Sequence, residues 1–319
     1  MEIYILCGSE SASGGPELSH QFCHAVNEYT DITAKMCYVD VEAPFDRCLP
    51  VDTPCKPPYE IYGTDHARTI EEIDKPENVV VIPEGLTRSI VMFKAARLVL
   101  WWMSVDNYFK STNGDNLKTL ADRIVLHLAQ SRYAELFLEK TFPDKKRMRL
   151  TDYINEEHGK FIFPAQFRSN NALYNPQKGY DQIKPLIERA GWLNWIPIIG
   201  LSLEETILVM QNAKIYVDFG NHPGKDRIPR EAAVNGCCVI TNRKGSAEND
   251  EDVPIPAKYK IADPLQSIEE TNALLKEICD DFAAHQNEFA AYREWIKGEK
   301  QRFLKETVDV VSAMAGCHR

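Results

Sequence analysis

The sequence lacks the features of membrane-spanning, secreted and nucleic-acid-binding proteins. No apolar stretch in its 319 residues is long enough to cross a bilayer. Residues 1–14 have no basic region, and their apolar run is too short for a signal peptide. The net charge of -10 repels phosphate backbones at long range. We therefore expect no nucleic-acid partner and at most a peripheral contact with a membrane.

Paired cysteines and metal-binding spacings are also missing. The nine cysteines form neither a Cys-x-x-Cys pair nor a Cys/His metal pattern, which favours reduced thiols in a cytoplasmic protein. The one dense basic stretch is residues 145–149, which we interpret as a solvated loop. The alternative is a contact for an anionic lipid or a diphosphate-linked acceptor, at the inner face of the membrane.

What is present is the composition of a globular protein, with 44% hydrophobic and 26% charged residues. Its length favours two domains. Short apolar runs alternate with longer amphipathic ones, which predicts parallel sheets covered by helices on both faces. The predicted strands are residues 3–7, 79–82, 98–102, 124–128, 171–174, 195–199, 215–219 and 237–241, with 160–163 as a last strand or a linker.

This alternation runs twice, so we expect an α/β protein with two Rossmann-like domains, residues 1–165 and 166–298. A helical tail from about residue 267, broken near Gly298, is expected to pack across both, with residues 299–319 joining the first domain. Residues 43–63 are rich in proline and predict a long loop. Ser202 and Glu205 have the spacing of a capping box, which predicts a helix over residues 203–212.

Three predicted strands end at polar residues, namely Glu84, Ser104 and Ser131. Ligands of parallel sheets bind at the carboxyl ends of strands. These three residues are therefore pocket candidates on geometry alone.

Residues 218–241 carry the most informative arrangement. A predicted strand ends near Asp218, a polar Gly/Pro loop follows, and a helix begins beside Glu231. A helix N-terminus offers free N–H groups and the positive end of a dipole, which suits an anionic ligand. Lys225, Arg227 and Arg230 add positive charge there. Glu231 can accept hydrogen bonds from two ribose hydroxyls.

This segment resembles the donor-binding region of retaining GT-B glycosyltransferases, in which a glutamate-containing loop leads to a helix, a small-residue-Gly turn and a Val-Ile strand. The resemblance places Glu231 on the ribose-binding glutamate of that family. The family's other glutamate, eight residues earlier, is Pro223 here. The loop must therefore contact the sugar differently, with His222, Lys225 or Asp226 as candidates.

The resemblance extends to the turn at residues 174–179, which resembles the first turn of the family's C-terminal domain. It implies that Lys178 binds the donor diphosphate, with Asn175 in the same turn. The family's arginine five residues earlier is Leu173 here, and Arg168 is the candidate replacement.

Two further turns are similar to those of the family. The turn that contains Ser246 resembles one whose backbone amides face the phosphates. Residues 13–17 resemble a Gly-rich loop that closes over donor and acceptor, which implies that Gly14 and Gly15 contact the donor. Residues 101–107 are similar to bacterial polysaccharide glycosyltransferases. Each motif alone is more often a plain turn or core, but their order is the one that a GT-B fold requires.

The resemblance implies a hexosyltransferase-like enzyme of polysaccharide biosynthesis that transfers a sugar from a nucleotide-sugar donor to a glycan or lipid-linked acceptor. It also implies retention of configuration and no metal or cofactor, with Lys178 and helix N-termini stabilising the departing nucleoside diphosphate. His222 and Asp106 are the other catalytic candidates. Glu84 and Asp106 are the acceptor-binding candidates and the possible bases of an inverting reaction.

Other functions stay open. The first is another GT-B enzyme, such as a sugar-nucleotide epimerase or a phosphorylase, although no pyridoxal lysine site is obvious. The second is a nicotinamide-dependent dehydrogenase, which is disfavoured because residues 8–15 do not match G-x-G-x-x-G. The third is a non-catalytic nucleotide-sugar-binding subunit.

Overall fold

The computed structural model divides the chain into two compact units. Unit 1 comprises Met1–Asp152 and Lys300–Arg319, and unit 2 comprises Tyr153–Glu299. The described residues are 1–9, 14–42 and 47–316.

The units divide at 152/153, whereas the sequence placed the division at 165/166. The segment between these positions is tied to unit 2 by hydrogen bonds. The Gln211 amide donates to the Phe161 carbonyl at 3.0 Å, and His158 Nδ1 lies 2.8 Å from Asn235 Nδ2. Residues 160–163 form no strand, and they lie within unit 2 rather than at the crossing between the units.

Within its described residues, unit 1 is built on a seven-stranded sheet. Its strands are β1 (Ile3–Gly8), β2 (Ala34–Glu42), β3 (Arg47–Pro50), β4 (Val79–Pro83), β5 (Arg97–Trp102), β6 (Ile124–Ala129) and β7 (Arg147–Arg149). The order is β3-β2-β1-β4-β5-β6-β7, and every pairing is parallel except that of β2 with β3. Its helices are α1 (Gly14–Tyr29), α2 (Ile70–Ile73), α3 (Val105–Thr112), α4 (Leu117–Arg123) and α5 (Arg132–Thr141).

The strand ends of unit 1 show why polar residues follow apolar runs. The Ser104 hydroxyl accepts a hydrogen bond from the Asn107 N–H and caps α3, and Ser131 does the same for α5 through the Ala134 N–H. Both serines were pocket candidates from the sequence. Their local role is to satisfy backbone donors at the start of the next helix.

Unit 2, all of whose residues are described, has a five-stranded parallel sheet. Its strands are β8 (Ser169–Tyr174), β9 (Asn194–Pro197), β10 (Ala213–Asp218), β11 (Cys238–Asn242) and β12 (Lys260–Ile261), in the order β12-β11-β10-β8-β9. Its helices are α6 (Tyr180–Arg189), α7 (Leu203–Asn212), α8 (Arg227–Val234), α9 (Ile268–Asp280), α10 (Phe282–Glu288) and α11 (Ala290–Lys297). The predicted capping box at Ser202 and Glu205 is confirmed.

The helical tail is shared between the units, and its predicted break at Gly298 is confirmed. Helices α9 to α11 belong to unit 2, while residues 300–316 of the last helix, α12 (Glu299–Gly316), belong to unit 1. Glu306 in α12 accepts hydrogen bonds from the N–H and hydroxyl of Thr151, both at 2.7 Å. None of the helices in the described part of the chain is long and apolar enough to cross a membrane.

The α/β fold with two sheets of mainly parallel strands was correctly predicted, but four strands were not. The sequence missed β2, β3, β7 and β12. Three of these are only two to four residues long, and β2 carries charged residues such as Lys35 and Asp40 among its apolar ones. The predicted loop at residues 43–63 contains β3 and a 3-10 helix, Pro57–Tyr62.

In both sheets, the side of the first strand on which the chain adds further strands changes at one point. In unit 1 the chain moves from β1 to β2 and then to the opposite side of β1, at β4. In unit 2 it moves from β8 to β9 and then to β10 on the other side. Ligands of open α/β sheets bind beyond the carboxyl ends of the strands at such a point.

Candidate functional site

The candidate site lies in unit 2, where the loops after β8 and β10 meet at this reversal point. Gly179 has φ +68°, and a Cβ on it would lie 2.6 Å from the Cα of Gly220. A Cβ on Gly220 would in turn overlap the aliphatic stem of Lys178. Two glycines thus allow the loops to touch, and Lys178 lies across the contact.

The loop between β10 and α8 is fixed by the neighbouring strand. The Asn242 amide at the end of β11 donates to the Gly220 carbonyl at 2.7 Å. Ser246 donates its N–H to the His222 carbonyl at 2.8 Å and its hydroxyl to the Gly224 carbonyl at 2.6 Å. Because Ser246 is fully buried, its role in this geometry is to hold the loop. Its contact with donor phosphates stays a prediction.

Lys178 reaches from the first loop to two carboxylates of the second. Its ammonium contacts the Asp226 carboxylate and lies 4.0 Å from Asp218 Oδ2. Asp218 is buried and accepts hydrogen bonds from the Gly220 N–H and the Tyr216 hydroxyl, each at 3.0 Å. The Lys178 side chain is 25% exposed and that of Asp226 is 23% exposed. This ion pair is therefore accessible to a ligand.

His222 lies beneath the ion pair, with its side chain only 1% exposed. Its Nδ1 is 2.6 Å from Asp226 Oδ2, and its Nε2 is 3.8 Å from Asp218 Oδ1. Desolvation opposes ionisation of Asp226, but the hydrogen bond with His222 and the charge of Lys178 outweigh it and lower the Asp226 pKa. His222 has no open face for a substrate, so this geometry makes it an orienting group for Asp226. Its predicted catalytic contact is not supported.

Asp218, His222 and Asp226 have the residue types of a metal site, and one ligand atom of each lies within 4.8 Å of the others. The two carboxylates, however, lie towards opposite nitrogens of the imidazole ring, and only Asp226 is within hydrogen-bond distance of it. One ion can use only one nitrogen of a histidine ring together with both acids. The Lys178 ammonium already contacts Asp226. Because Asp226 is already paired with both Lys178 and His222, the group fits an ion-pair network better than a metal centre.

Two of the predicted donor-binding cations face away from a ligand. Lys225 Nζ and Arg230 Nη1 each lie 2.7 Å from a different oxygen of Glu299, and all three side chains are buried. Lys225 also lies 4.5 Å above the Trp295 ring. The prediction that Lys225 and Arg230 contact the donor directly is corrected, because their charges are enclosed behind the loop.

Arg227 is the first residue of α8 and Glu231 is the fifth, so the helix begins one turn before Glu231 and not beside it as predicted. Glu231 Oε1 is 3.5 Å from Arg227 Nε and 3.8 Å from His158 Nε2, and both α8 side chains keep partial exposure. In the other loop, the Asn175 side chain accepts a hydrogen bond from the Gln177 N–H at 2.9 Å and shapes the turn that leads to Lys178.

Arg168 does not replace the missing phosphate-binding arginine, so this expectation was wrong. Its buried guanidinium donates to the carbonyls of Phe163 at 3.1 Å, Met210 at 3.1 Å and Ala213 at 2.6 Å, and to that of Asn235. These bonds join the segment before β8 to α7, to β10 and to the end of α8, which is a structural role.

The corresponding edge of unit 1 carries one buried acid. Glu84 follows β4, and its carboxylate accepts a hydrogen bond from the Met103 N–H at 2.9 Å. Burial raises the pKa of Glu84 to about 7. Asp106 in α3 is half-buried and accepts a hydrogen bond from the Tyr133 hydroxyl at 3.1 Å.

The described glycines of the Gly-rich motif and the two tryptophans of unit 1 have local structural positions and supply no polar side chain to this edge. Gly14 and Gly15 begin α1, while Ser13 lies outside the described residues. A Cβ on Gly15 would make only an ordinary 3.8 Å contact with Met103 Sδ, so the position has room for a Cβ. Residues 101 and 102 are fully buried tryptophans of the core.

Sequence reasoning missed the partners that hold the site together. Glu299 and Asn242 lie far along the chain from the loop that they fix. No local pattern could have identified them. Gly220, which allows the approach of Lys178, directly follows the predicted strand 215–219. Only its position beside Gly179 in the structure reveals its role.

No family model and no curated relative matches this chain. Solved structures do match it. HepE from Anabaena in complex with UDP is 11% identical, with 98% of this chain and 100% of that chain covered and a TM-score of 0.67. A glycosyltransferase from Rickettsia africae is 11% identical, with 98% of each chain covered and a TM-score of 0.64. A Staphylococcus aureus TarM variant in complex with UDP is 11% identical, with 75% of this chain and 56% of that chain covered and a TM-score of 0.59. The chain therefore has the GT-B fold of glycosyltransferases.

Proposed function

We propose that the protein is a glycosyltransferase that transfers a sugar from a nucleotide-sugar donor to a glycan or lipid-linked acceptor. Lys178 carries this proposal. Its aliphatic stem lies over Gly220, and its ammonium, on a partly exposed side chain, contacts Asp226 at the reversal point of the unit 2 sheet, where ligands of such sheets bind. HepE and TarM were both solved with UDP, which supports a nucleoside diphosphate as the ligand.

Donor binding then exchanges one anion for another at Lys178. The donor diphosphate forms an ion pair with the Lys178 ammonium in place of Asp226. Asp226, still within hydrogen-bond distance of His222, then becomes available to contact the donor sugar. Glu231 binds the ribose hydroxyls, and the N-terminus of α8 faces the phosphates with its free N–H groups. Arg227 and Asn175 complete the donor contacts.

The chemistry proposed for this site is metal-independent transfer with retention of configuration. Lys178 stabilises the negative charge that develops on the departing diphosphate. In unit 1, Glu84 and Asp106 bind the acceptor. Glu84 is half protonated near neutral pH because burial raises its pKa to about 7, so it can donate or accept a hydrogen bond with an acceptor hydroxyl.

A lipid-linked acceptor would bring the enzyme to a membrane surface. The basic stretch that includes β7 is the candidate contact, with Arg147 exposed. Arg149 is already paired with Glu135, where Nε and Oε1 are 2.8 Å apart. Any such contact is peripheral and depends on the exposed members of the stretch.

Hydrolysis of a panel of nucleotide sugars without acceptor tests the proposal. We expect release of free sugar from one donor, and stabilisation of the protein by the matching nucleoside diphosphate in a thermal-shift assay. An epimerised sugar nucleotide would identify an epimerase instead. Binding without turnover, with or without added acceptors, would indicate a binding subunit. Stabilisation by NAD alone would refute the proposed donor site.

A further inference from the structure

A buried group of charges lies directly behind the donor loop. It consists of Lys225 and Arg230 with Glu299, here called the rear cluster, and Trp295 packs against it. Glu299 has 1% side-chain exposure and is the first residue of α12. Each of its two oxygens lies 2.7 Å from one of the cations.

The rear cluster also bonds to the backbone of the loop. Arg230 Nη2 donates to the Lys225 carbonyl at 3.0 Å, and its Nε donates to the Asp226 carbonyl at 3.1 Å. One guanidinium therefore fixes two successive carbonyls of the loop, while Glu299 fixes the guanidinium. The residue so held is Asp226, whose carboxylate contacts Lys178.

Stability alone does not explain charged residues at this place. Burying an ion pair has a large desolvation cost, and well-packed apolar residues of similar volume are often as stable or more stable. Apolar side chains, however, cannot donate directional hydrogen bonds to the two carbonyls. The rear cluster therefore supplies the loop with a defined position.

We propose that Glu299 is a positioning residue for sugar transfer, which acts through Arg230 and Lys225 to set where the Asp226 carboxylate meets Lys178. This inference rests on the proposed transferase function. Glu299 does not touch the donor. It determines the backbone position from which Asp226 holds Lys178 before the donor arrives and approaches the donor sugar afterwards.

The test replaces the rear cluster by apolar residues, with the triple variant Lys225→Met, Arg230→Met and Glu299→Leu. We expect the variant to unfold at a temperature no lower than the wild type. Its kcat for hydrolysis of the nucleotide sugar that the wild type cleaves fastest should nevertheless fall at least about tenfold. Hydrogen exchange should accelerate in the amides of residues 219–231 and not elsewhere in unit 2. The control is Arg189→Gln, which breaks an exposed ion pair with Glu269 in unit 2.

A second variant, Glu299→Asp, keeps the charge but shortens the side chain by one methylene. We expect a smaller loss of kcat in the same direction. A folded triple variant with wild-type kcat and wild-type hydrogen exchange in the loop would overturn the positioning role. If the triple variant does not fold, an unchanged kcat and unchanged hydrogen exchange in Glu299→Asp would overturn it. If the wild type cleaves no nucleotide sugar, the proposed function fails, and the exchange experiment still decides the positioning role.

Discussion

Five parallel strands follow the same order in the two units, β2-β1-β4-β5-β6 and β9-β8-β10-β11-β12, with the same reversal point, yet the carboxyl edges of the two sheets differ in charge. The edge of unit 2 presents an accessible lysine–aspartate pair, together with the charged side chains of Arg227 and Glu231. At the edge of unit 1, Glu84 is enclosed and hydrogen-bonded to backbone. The fold thus fixes where a ligand can bind, and the residues after each strand decide which ligand it is. In the proposed function, the charged edge binds the donor diphosphate and the other edge binds a neutral acceptor hydroxyl.

The largest expected effect comes from removing the charge at the edge of unit 2. Lys178→Met keeps the aliphatic stem over Gly220 but loses the ammonium. We expect hydrolysis and transfer to fall about a hundredfold, the size of effect seen when one electrostatic stabiliser is removed. The unfolding free energy should fall by no more than about 1 kcal/mol, because the pair with Asp226 is partly exposed.

The matched control is Lys184→Met on α6, where Lys184 forms only an exposed pair with Glu188 at 3.8 Å. Its activity should equal that of the wild type. If both lysine variants kept full activity, the edge of unit 2 would not be the donor site.

The next largest effect concerns the enclosed acid of unit 1. Burial raises the pKa of Glu84 from 4.5 to about 7, although the Met103 and Ser104 N–H groups oppose it. A raised carboxyl pKa stabilises the fold fully below about pH 4.5, and this stabilisation is lost as the pH rises through about 7. Between about pH 4.5 and 8, the wild type should lose about 1 to 3 kcal/mol of unfolding free energy relative to Glu84→Gln.

Chemical denaturation of both proteins at several pH values, followed by the fluorescence of the tryptophans beside Glu84, measures this difference. Parallel pH profiles for the two proteins would show that the Glu84 carboxyl titrates normally. The contrast between the ionised edge of unit 2 and a protonatable carboxyl at the edge of unit 1 would then be contradicted.

A smaller effect is expected from the ribose-binding candidate. Glu231→Ala removes acceptors for two hydroxyls but leaves Lys178 in place. We expect the KM for the donor to rise about tenfold with little change in kcat, because ribose contacts are made equally in the ground and transition states. Steady-state kinetics with the ribose and 2′-deoxyribose forms of the donor provide the check. A KM unchanged by the substitution would place the ribose elsewhere.

The smallest effect is expected from chelation. If Lys178 supplies the positive charge for the leaving group, dialysis against EDTA should leave the rate unchanged. Loss of activity that Mg²⁺ or Mn²⁺ restores would contradict metal independence. Asp218, His222 and Asp226 would then become the first candidates for the ligands.

The sequence predicted the parts of this molecule that depend on local pattern. The apolar runs located the central strands, and the capping spacing at Ser202 located α7 to the residue. Lys178 and Asp226 were both named, but their contact was not, since it depends on the approach of Gly179 to Gly220. The short edge strands were not predicted because two to four residues are too few to show a hydrophobic period.

Cations were the least predictable feature of the site. Lys225, Arg227 and Arg230 stand within six residues of one another and look equivalent in sequence. Only Arg227 remains partly exposed, because a distant acid, Glu299, encloses the other two. Charge in a loop therefore indicates a candidate anion site, but three-dimensional partners decide which charges face the ligand.

The most direct test of the account is calorimetric titration of UDP and GDP into the wild type, Lys178→Met, Lys184→Met and Glu84→Gln. The account predicts that one nucleoside diphosphate binds the wild type, Lys184→Met and Glu84→Gln alike, and binds Lys178→Met at least about tenfold more weakly, a difference of about 1.4 kcal/mol. Equal affinity of Lys178→Met and the wild type would contradict it.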